Sequence, residues 1–599
     1  MASVNSTKEP PMIHFIDFEV LKYNWLAVIA DPSRQSIKVI WDDPDALLEY
    51  YNTYKKEIFC GYNIAHYDQY IFQSILCGFN PKEVNDFIII EDKPGFRFSP
   101  LLRKFPLICY DAMVKQKGLK QLEGFMGNKI KESSVSFNID RSLTEAEKKE
   151  LEEYCLHDVD QLMEVFMRTK EEFDTALYFI KHYKLPLSYL GKTKAQLAAA
   201  ILGGNRKGKT FKDEFDFPVL ECLDIKKYKH IPQWYKKHEN QDYEKSQLVK
   251  VAGVWHTFAW GGIHGAKGTA VKTDRHGQLV VDDARSKPVN EKGIFLMIDV
   301  TAYYPAQQQK FKFGYRVMDC PENFEFIHGS NIKFKKLGDK KARLPFKIMD
   351  NAISGQLKQK SSALYDPMSN NSICVNGQLM LLDLIEHLEK VPSFELIQSN
   401  TDGLLIKLDN YDDFDLVDDI VYEWEQRTGM EMEIDTFIGE IFQKDVNNYL
   451  LVDRETGAVK TKGSYVKKLS DLDYDLPIIN KAVYEYMVNR IPVERTILAC
   501  DEFKEFQMVK KISWKYDYIM HGEKILQEKC IRCFASVRDS DGGLKKRHGT
   551  TKNFEKLEST PEHAFLWNEN VNGLTCPDRL DKQWYIKKAK ERLRDFGVI

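Results

Sequence analysis

Ile298-Asp299-Val300-Thr301-Ala302-Tyr303-Tyr304-Pro305-Ala306 follows an apolar run that begins at Ile294. The run predicts a buried strand over Ile294–Val300, and Pro305 predicts that the strand stops and the chain turns. Asp299 therefore lies at the end of a buried strand. A buried carboxylate is costly unless it is paired or bound to a metal. Taken alone, Asp299 is most simply interpreted as a hydrogen-bonded residue that caps a turn.

A second aspartate lies in a turn further along the chain. Asn400-Thr401-Asp402-Gly403 separates two apolar runs, 394–397 and 404–408. Asp-Gly between apolar runs predicts a β-hairpin. Alone, such a turn is common and carries no function.

The segment between these two aspartates is strongly basic. Residues 333–347 contain seven basic side chains and only one acid, Asp339. We predict a basic helical stretch over 331–360, with Lys347 and Asn351 on one helix face, and a longer amphipathic helix over 373–390. A solvated helix face is the simple interpretation. However, seven positive charges this close together repel one another. This favours an anionic ligand, such as a triphosphate, that would neutralise them.

The first 165 residues alternate strand-like and helical segments and predict an α/β domain with a mixed sheet. The predicted elements are strands at His14–Val20 and Ile58–Tyr62 and helices at Asp43–Tyr54 and Leu143–Arg168. Asp17 and Glu19 share one face of the first strand, which makes a plausible shelf for a divalent metal. Alone, two solvated surface acids are the better interpretation of that pair.

Two later segments change this interpretation. Asn63 and Asp68 lie at a strand-to-helix junction, and Tyr154 and Asp158 share one helix face. In this order the three segments resemble the DnaQ-like 3′–5′ exonuclease domain of B-family DNA polymerases. That family has the motifs Asp-x-Glu, Asn-x(2–3)-Phe/Tyr-Asp and Tyr-x(3)-Asp.

The resemblance implies a role for each of these residues. Two Mg²⁺ ions would be held by four carboxylates, those of Asp17, Glu19, Asp68 and Asp158. Tyr154 would orient the attacking water, and Asn63 would help to place the terminal nucleotide of the primer. Lys120 lies in Gly118–Leu122, where the family has a strand-binding Ser/Thr-Leu motif, although Gly118 replaces the Ser/Thr.

The later segments resemble motifs A, B and C of the same polymerases. Motif A is similar to Asp299–Pro305, motif B to Lys347, Asn351, Ser354 and Gly355, and motif C to Gln398–Asp402. Asp299 and Asp402 would hold two further Mg²⁺ ions, with Mn²⁺ as a substitute and Val300 among the metal-binding residues. The nucleotide-binding residues implied are Tyr304, Lys347, Asn351, Lys335, Lys336, Val300, Thr301, Ala302 and Tyr303. Tyr304 would exclude a 2′-hydroxyl.

Two departures from these motifs bear on activity. Asn400 replaces the first Asp of motif C, which removes one negative charge. Ser354 replaces the Tyr of motif B, which in the family packs at the nascent base pair.

Several segments are candidates for contact with DNA. Phe258–Gly265, with Trp260, Gly261 and Gly262, resembles a Tyr-x-Gly-Gly element of the family. Tyr449 and the segment Lys462–Tyr465 both resemble its Lys-x-Tyr region, and the sequence does not decide between them. Residues 504–552 contain twelve Lys and Arg against six Asp and Glu, and Lys545, Lys546 and Arg547 predict a loop tip that grips phosphates or is simply solvated.

Composition places few limits on these expectations. The 599 residues are 43% hydrophobic, and 86 Lys and Arg nearly balance 89 Asp and Glu, which excludes a polybasic coat protein and a disordered acidic chain. The length suggests about four domains. We find no secretory pattern and no apolar run near the ~20 residues that span a bilayer, so no membrane partner is expected. The 11 scattered cysteines indicate reduced thiols and a cytoplasmic protein.

The predicted fold class is α/β and α+β multidomain, with an RNase H-like exonuclease domain and a right-hand polymerase of palm, fingers and thumb. The expected boundaries are exonuclease 1–170, helical connector 171–250, palm 251–310, fingers 311–360, palm 361–470 and thumb 471–599.

The expected function is that of a monomeric DNA-directed DNA polymerase with proofreading, of bacteriophage type, in viral or plasmid replication. Its partners would be primer-template DNA, dNTPs and a replisome single-stranded DNA-binding protein, helicase or primase. The alternatives are an exonuclease with a decayed polymerase site, a protein-primed polymerase and a non-catalytic DNA-binding scaffold.

Overall fold

A computed structural model describes residues 11–206 and 211–599. The elements of the first part of the chain are β1 (Ile13–Val20), β2 (Trp25–Ala30), β3 (Ile37–Trp41), α1 (Pro44–Tyr54), β4 (Ile58–Gly61), α2 (Asp68–Leu76), α3 (Pro81–Ile89), β5 (Ile108–Asp111), α4 (Leu119–Met126) and α5 (Glu145–His182). The strands form one sheet in the order β3-β2-β1-β4-β5. Pairs β1–β2 and β2–β3 are antiparallel, whereas β1–β4 and β4–β5 are parallel. The prediction of a mixed α/β sheet is confirmed.

Local capping chemistry explains where these helices begin. Asp43 accepts a hydrogen bond from the Ala46 amide at the start of α1. Thr144 and Glu147 form a reciprocal capping box at the start of α5. Helix α5 continues fourteen residues beyond the predicted end at Arg168, because buried side chains such as Phe173 and Phe179 keep packing along it.

The middle of the chain contains a second, larger sheet. Its elements are α6 (Lys194–Ile201), α7 (His230–Tyr235), β6 (Ser246–Val251), β7 (Val254–Ala259), β8 (His264–Ala266), β9 (Val271–Thr273), β10 (Leu279–Val281), β11 (Val289–Val300), α8 (Tyr303–Phe311), α9 (Pro321–Lys336), α10 (Lys340–Ser354), α11 (Pro367–Leu388), β12 (Glu395–Ser399), β13 (Gly403–Leu408), α12 (Phe414–Thr428), β14 (Met432–Asp445), β15 (Asn448–Asp453) and β16 (Val459–Lys462). Nine strands pair in the order β16-β15-β14-β11-β13-β12-β8-β7-β6. The predicted hairpin is present as β12 and β13.

Three sequence-based expectations about this region need correction. Pro305 does not form a turn but lies in the first turn of α8, where its missing amide proton costs no hydrogen bond. The basic stretch is not one helix, because Gly338 adopts a left-handed φ of 67° and separates α9 from α10. Helix α11 begins earlier than predicted, at Pro367, and is buried along nearly its whole length rather than amphipathic.

The last part of the chain contains α13 (Pro477–Asn489), α14 (Val493–Ala499), β17 (Met508–Lys511), β18 (Tyr516–His521), β19 (Lys524–Leu526), β20 (Cys530–Ala535), β21 (Leu544–His548), β22 (Phe554–Lys556), β23 (Ala564–Leu566) and α15 (Lys582–Asp595). The strands form two small sheets, β17-β20-β23 and β19-β18-β21-β22.

The chain divides into two compact units. Unit 1 comprises the residues through Thr193 with Leu469–Leu476 and Asp501–Asp581, and unit 2 comprises Lys194–Lys468, Pro477–Cys500 and Lys582–Ile599. The segment 471–599, expected to form a thumb, is thus shared between the two units. No helix in the described ranges is long and apolar enough to cross a membrane.

A buried arginine explains why the 501–581 segment belongs to unit 1. Arg532 on β20 is fully buried and donates hydrogen bonds to the carbonyl oxygens of Gly124 (2.9 Å) and Asn128 (2.7 Å), at and after the end of α4. It also donates to the Glu569 carbonyl at 2.7 Å and to the Gln507 side chain at 3.0 Å. Removing these donors would leave buried carbonyls unsatisfied, so Arg532 fixes the segment on α4.

Candidate active sites

The acids predicted on the first strand come together with α5 in unit 1. The carboxylate oxygens of Asp17 and Glu19 and the Cys155 sulfur lie within 4.8 Å of one another. The Cys155 thiol donates to Asp17 Oδ2 at 3.4 Å. Cys155 was missed by sequence reasoning because a lone cysteine inside a helix carries no distinctive signal.

Asp68 and Asn63 lie on the connection from β4 to α2. Asp68 is the first residue of α2 and is 3% exposed. Asn63 has a left-handed φ of 68°, and its amide donates to Asp111 Oδ1 at 2.9 Å. Because the Ala65 amide donates to the other oxygen of Asp111 at 3.1 Å, that carboxylate, at the end of β5, holds the loop that presents Asp68. Asp111 was not predicted.

Lys120 on α4 reaches into this acidic site. Its ammonium hydrogen-bonds to Asp158, lies 3.2 Å from Glu123 and sits 4.4 Å from the centre of the Tyr154 ring. Glu123 is fully buried, and His157 Nε2 lies 3.4 Å from its carboxylate. The sequence predicted Lys120, Tyr154 and Asp158 here but neither Glu123 nor His157.

The carboxylates of this site repel one another strongly. Burial, and then the charge of Asp158, raise the pKa of Asp17 to about 7. Burial raises the pKa of Asp158 to about 6 although Lys120 opposes the shift. The pKa values of Glu19 and Asp68 are well above their usual range, because both groups are buried and both feel the charge of Asp17.

These shifts predict how stability depends on pH and on a divalent cation. A raised carboxyl pKa means that the folded chain binds protons more tightly than the unfolded chain. The ionised carboxylates therefore destabilise the fold increasingly from about pH 4 to pH 7. We expect Mg²⁺ to raise the melting temperature more at pH 8 than at pH 5.5. Each kcal/mol of additional binding free energy corresponds to roughly 1–2 °C for a fold of this size.

Differential scanning calorimetry at the two pH values tests this expectation. Asp17→Asn should remove most of the Mg²⁺ effect at pH 8, whereas Glu153→Gln, on the exposed face of α5, should leave it intact. An equal Mg²⁺ effect at both pH values would contradict the prediction.

The second pair of predicted aspartates meets in unit 2. Asp299 near the end of β11 is opposite Gly403 in the β11–β13 register, and the Val300 amide donates to the Asp402 carbonyl at 2.8 Å. A Cβ at position 403 would overlap the Asp299 carboxylate, so the glycine after Asp402 lets the two strands approach. Asn400 Oδ1 accepts a hydrogen bond from the Thr401 amide at 2.9 Å, and the side chain thus supports the turn.

Asp299 also lies among charges that the sequence did not predict. Burial, and then the charge of Asp402, raise its pKa to about 6. Glu433 is its register partner on β14, and Asp435 lies two residues further on the same strand. Lys460 on β16 lies 4.0 Å from Asp299 and 3.6 Å from Asp435 and partly offsets these acids. Glu433 and Asp435 have the same i, i+2 spacing as Asp17 and Glu19, so this signal was present in the sequence.

A cavity of about 560 Å³ is lined by Asp402 and by Val300, the residue after Asp299. Its lining residues come from segments far apart in sequence: Gly261, Gly262, Val300, Ala302, Tyr303, Tyr304, Pro305, Asn351, Ser354, Gly355, Lys358, Asn370, Cys374, Thr401 and Asp402. Ala302 has a left-handed φ of 48° between β11 and α8, a strained conformation for a residue with a Cβ. The structure thus brings together residues from all three predicted motifs, and it adds Lys358 and Asn370.

The three lysines predicted to bind the nucleotide are not among the residues that line the cavity. Lys335 donates to Thr301 Oγ1 at 3.1 Å and pairs with Glu433 at 2.5 Å, and Lys336 pairs with Glu431 at 3.0 Å. Lys347 is exposed on α10 and is not among the residues that line the cavity.

Tyr303 and Tyr304 have different environments. Tyr303 is buried, and its hydroxyl donates to the Gly377 carbonyl at 2.7 Å, which anchors α8 to α11. Tyr304 is less buried and lines the cavity. Both tyrosines line the cavity, and Tyr304, the more exposed of the two, offers a ligand there the larger surface.

The predicted DNA contacts in unit 2 are only partly exposed. Trp260 is buried and donates its indole N–H to the Asn240 carbonyl at 3.0 Å, so its side chain packs in the core. Tyr449 is also buried and pairs with Lys462 in the β15–β16 register, which joins the two segments between which the sequence could not decide. Tyr465 packs against Phe596 and lies 5.1 Å from the Arg592 guanidinium.

The predicted basic loop tip in unit 1 is a strand. Lys545, Lys546 and Arg547 lie on β21, paired with β18 and β22. Lys546 lies 3.5 Å from Glu558, and Arg547 lies 3.5 Å from Asp517. Two of the three charges are therefore neutralised by acids, and Lys545 is exposed.

Comparisons with known proteins give likenesses among solved structures alone. No protein-family model matches the chain, and no curated protein matches it in sequence. Among solved structures, a family B DNA polymerase from the hyperthermophilic archaeon Pyrobaculum calidifontis is similar to it, with 13% identity and a TM-score of 0.41 over 99% of this chain and 79% of that chain. This likeness is too remote to assign a family, and the two sites themselves must support any function.

Proposed function

We propose that this protein is a DNA-directed DNA polymerase that extends a primer on a DNA template and has a separate 3′–5′ exonuclease site. The observation that supports the proposal is the grouping of Asp299 and Asp402 next to a cavity whose lining includes residues of all three predicted motifs. A second cluster of acids lies in the other compact unit. Separate sites for synthesis and excision would allow a fidelity that base-pair binding alone cannot supply.

Both acidic sites fit a divalent metal. Their donors are carboxylate oxygens, which Mg²⁺ prefers, and the raised pKa values of Asp17 and Asp299 reflect burial and a repulsion that a cation would relieve. Bound Mg²⁺ would polarise the phosphate and neutralise the charge that develops during phosphoryl transfer. Asp17, Glu19, Asp68 and Asp158 would hold it in unit 1, and Asp299 and Asp402 would hold it in unit 2.

The remaining residues of the unit 2 cavity would bind and orient a deoxynucleoside triphosphate. Lys358 and Asn351 supply a positive charge and hydrogen-bond donors for phosphate oxygens. Lys335 and Lys336 would exchange their carboxylate partners Glu433 and Glu431 for the triphosphate, because a polyanion attracts an ammonium more strongly than one exposed acid does.

In unit 1, the chain would bind a strand end and orient the attacking water. Tyr154 lies beside Lys120 and Asp158 and would help to position that water. Lys120 would offset the negative charge of the scissile phosphate and of Asp158. The strained Asn63 would contact the terminal nucleotide.

Primer extension and excision assays with the purified chain test this function. We expect dNTP incorporation on a primed DNA template with Mg²⁺, and shortening of a 5′-labelled single strand from its 3′ end without dNTPs. Excision without any incorporation would instead support the alternative of an exonuclease with a decayed polymerase site, to which Asn400 and Ser354 draw attention.

The proposal also covers the biological context and the kind of primer. We propose replication of viral or plasmid DNA in a cytoplasm as the setting of this activity. The described segment between Asp299 and Lys347 contains only α8, α9 and the start of α10, which leaves no long insertion for a protein primer.

Tyr304 is expected to discriminate against ribonucleotides. Its ring lines the cavity beside Asp402, where the sugar of a bound nucleotide would lie. Tyr304→Ala should raise the incorporation of a ribonucleotide relative to a deoxyribonucleotide by about 10²-fold. The alanine would remove the ring that is expected to clash with the 2′-hydroxyl of a ribonucleotide. Single-nucleotide incorporation kinetics with dCTP and CTP measure this ratio. Tyr422→Ala, on the exposed face of α12, should not change it.

A further inference from the structure

One side chain of unit 1 is exposed to an unusual degree. Trp514 is 92% exposed, whereas the next most exposed large apolar side chain in the described residues, Ile90, is 74% exposed. Single exposed apolar residues are normal, but an indole of this size that contacts almost nothing contributes nothing to the core. Its position is therefore set by the turn that carries it.

The turn that carries Trp514 is held on both sides. The Tyr516 amide donates to the Ser513 carbonyl at 3.0 Å and closes the turn. Before the turn, the Ile512 amide donates to the Lys529 carbonyl at 3.0 Å. After it, the Gly549 amide donates to the Lys515 carbonyl at 2.8 Å. A rigid backbone presents the indole in advance, so a ligand that stacks on it pays little ordering entropy.

Three exposed lysines lie near Trp514 along the backbone: Lys515 follows it, Lys511 precedes it by three residues, and the Lys529 carbonyl accepts from the Ile512 amide. Lys511, Lys515 and Lys529 are exposed, and none of them has a carboxylate within 4.0 Å among the described residues. Two acids near Lys515 already have partners. Asp517 pairs with Arg547 at 3.5 Å and Lys552 at 3.1 Å. Glu555 accepts a hydrogen bond from the Tyr516 hydroxyl at 2.9 Å and lies 3.7 Å from Lys546. An exposed ring beside unpaired ammonium groups matches a ligand that has both a flat apolar face and negative charges.

The same strand connects the turn to the acidic site of unit 1. The Lys511 ammonium occupies the space that a Cβ at Gly118 would need, at the start of α4. Two residues later on α4, Lys120 hydrogen-bonds to Asp158. Trp514 follows Lys511 by three residues, which span at most about 10 Å of extended chain.

We propose that Trp514 stacks on a nucleobase of single-stranded DNA while Lys511, Lys515 and Lys529 contact its phosphates. This inference rests on the proposed function, because the bound strand is the one whose 3′ end enters the acidic site of unit 1. Stacking on an aromatic side chain together with backbone contacts by lysines binds single strands without sequence preference.

Fluorescence anisotropy with labelled oligothymidylate, in EDTA and with the full chain, tests the inference. Trp514→Ala should weaken binding by about 5- to 150-fold, which is the range measured for loss of one stacked base. Trp514→Phe should retain most of the affinity, because a phenyl ring also stacks. Ile525→Ala, which truncates another exposed apolar residue of the same segment, should bind as the wild type does.

Salt dependence separates the stacking contact from the phosphate contacts. Lys511→Gln or Lys529→Gln should reduce the slope of log affinity against log salt by about 0.7, the value for one phosphate contact to a single strand. Trp514→Ala should lower the affinity and leave that slope unchanged.

Two outcomes would overturn the inference: oligothymidylate affinity of Trp514→Ala equal to that of Ile525→Ala, or a Trp514→Ala defect that appears only with anionic lipid vesicles. Extension and excision by the wild type are measured in parallel. An active wild-type enzyme with unchanged affinity in Trp514→Ala refutes this inference alone, whereas a wild type without either activity refutes the proposed function.

Discussion

Replacing Asp299 or Asp402 with asparagine is expected to lower primer extension by about 10³-fold or more and to leave excision unchanged. Asparagine keeps the size of the side chain but removes the negative charge that would hold a cation beside the cavity. Loss of about 4 kcal/mol of transition-state stabilisation corresponds to this factor. Steady-state incorporation of a single dNTP and excision of a 5′-labelled strand are measured on the same preparations.

Two features make this experiment informative. Asp299 has a pKa raised to about 6 by burial and by Asp402, so asparagine relieves repulsion and should not destabilise the fold. Asp418→Asn, on the exposed face of α12, makes the same chemical change away from the cavity and should retain full activity. If Asp299→Asn extends primers normally, the cavity in unit 2 is not the site of synthesis.

The reciprocal result is expected for the acids of unit 1. Asp17→Asn or Asp158→Asn should lower excision by about 10³-fold and leave primer extension unchanged, again because a cation would lose a ligand. Asp17 contacts Cys155, and Asp158 binds Lys120. Each replacement therefore changes a side chain within the acidic site of unit 1 and not one on the protein surface. Glu153→Gln is the matched control on α5.

A loss of both activities from one of these replacements, in a protein that still melts cooperatively, would refute the assignment of two independent sites. Unchanged synthesis and excision in all four variants would favour the remaining alternative, a non-catalytic DNA-binding scaffold.

Much of the local structure could be predicted because its causes are local. The alternation in β1 places Asp17 and Glu19 on one face, and Asp402-Gly403 makes a hairpin wherever apolar strands flank it. Capping chemistry likewise set the start of α1 and α5. The prediction for α11 was wrong about its exposure because the polar residues of that helix, such as Asn376 and Gln378, are buried with hydrogen-bond partners in other segments.

The sequence alone could not predict which basic residues of the segment 504–552 form ion pairs. The surplus of positive charge in residues 504–552 drew attention to Lys545, Lys546 and Arg547, yet two of these are paired with acids. Lys511, Lys515 and Lys529, which the charge count did not single out, have no such partner among the described residues. Counting charges along a chain cannot show which of them will be neutralised, because ion pairs form between residues far apart in sequence.

The sequence by itself determined the acidic pairs, the hairpin and the order of the motifs, because side-chain alternation and turn preferences act over a few residues. Only the tertiary structure decided that Lys120 reaches Asp158, that Lys460 and Glu433 flank Asp299, and that Arg532 fixes the 501–581 segment on α4. These contacts depend on the register and packing of distant segments, which local periodicity does not encode.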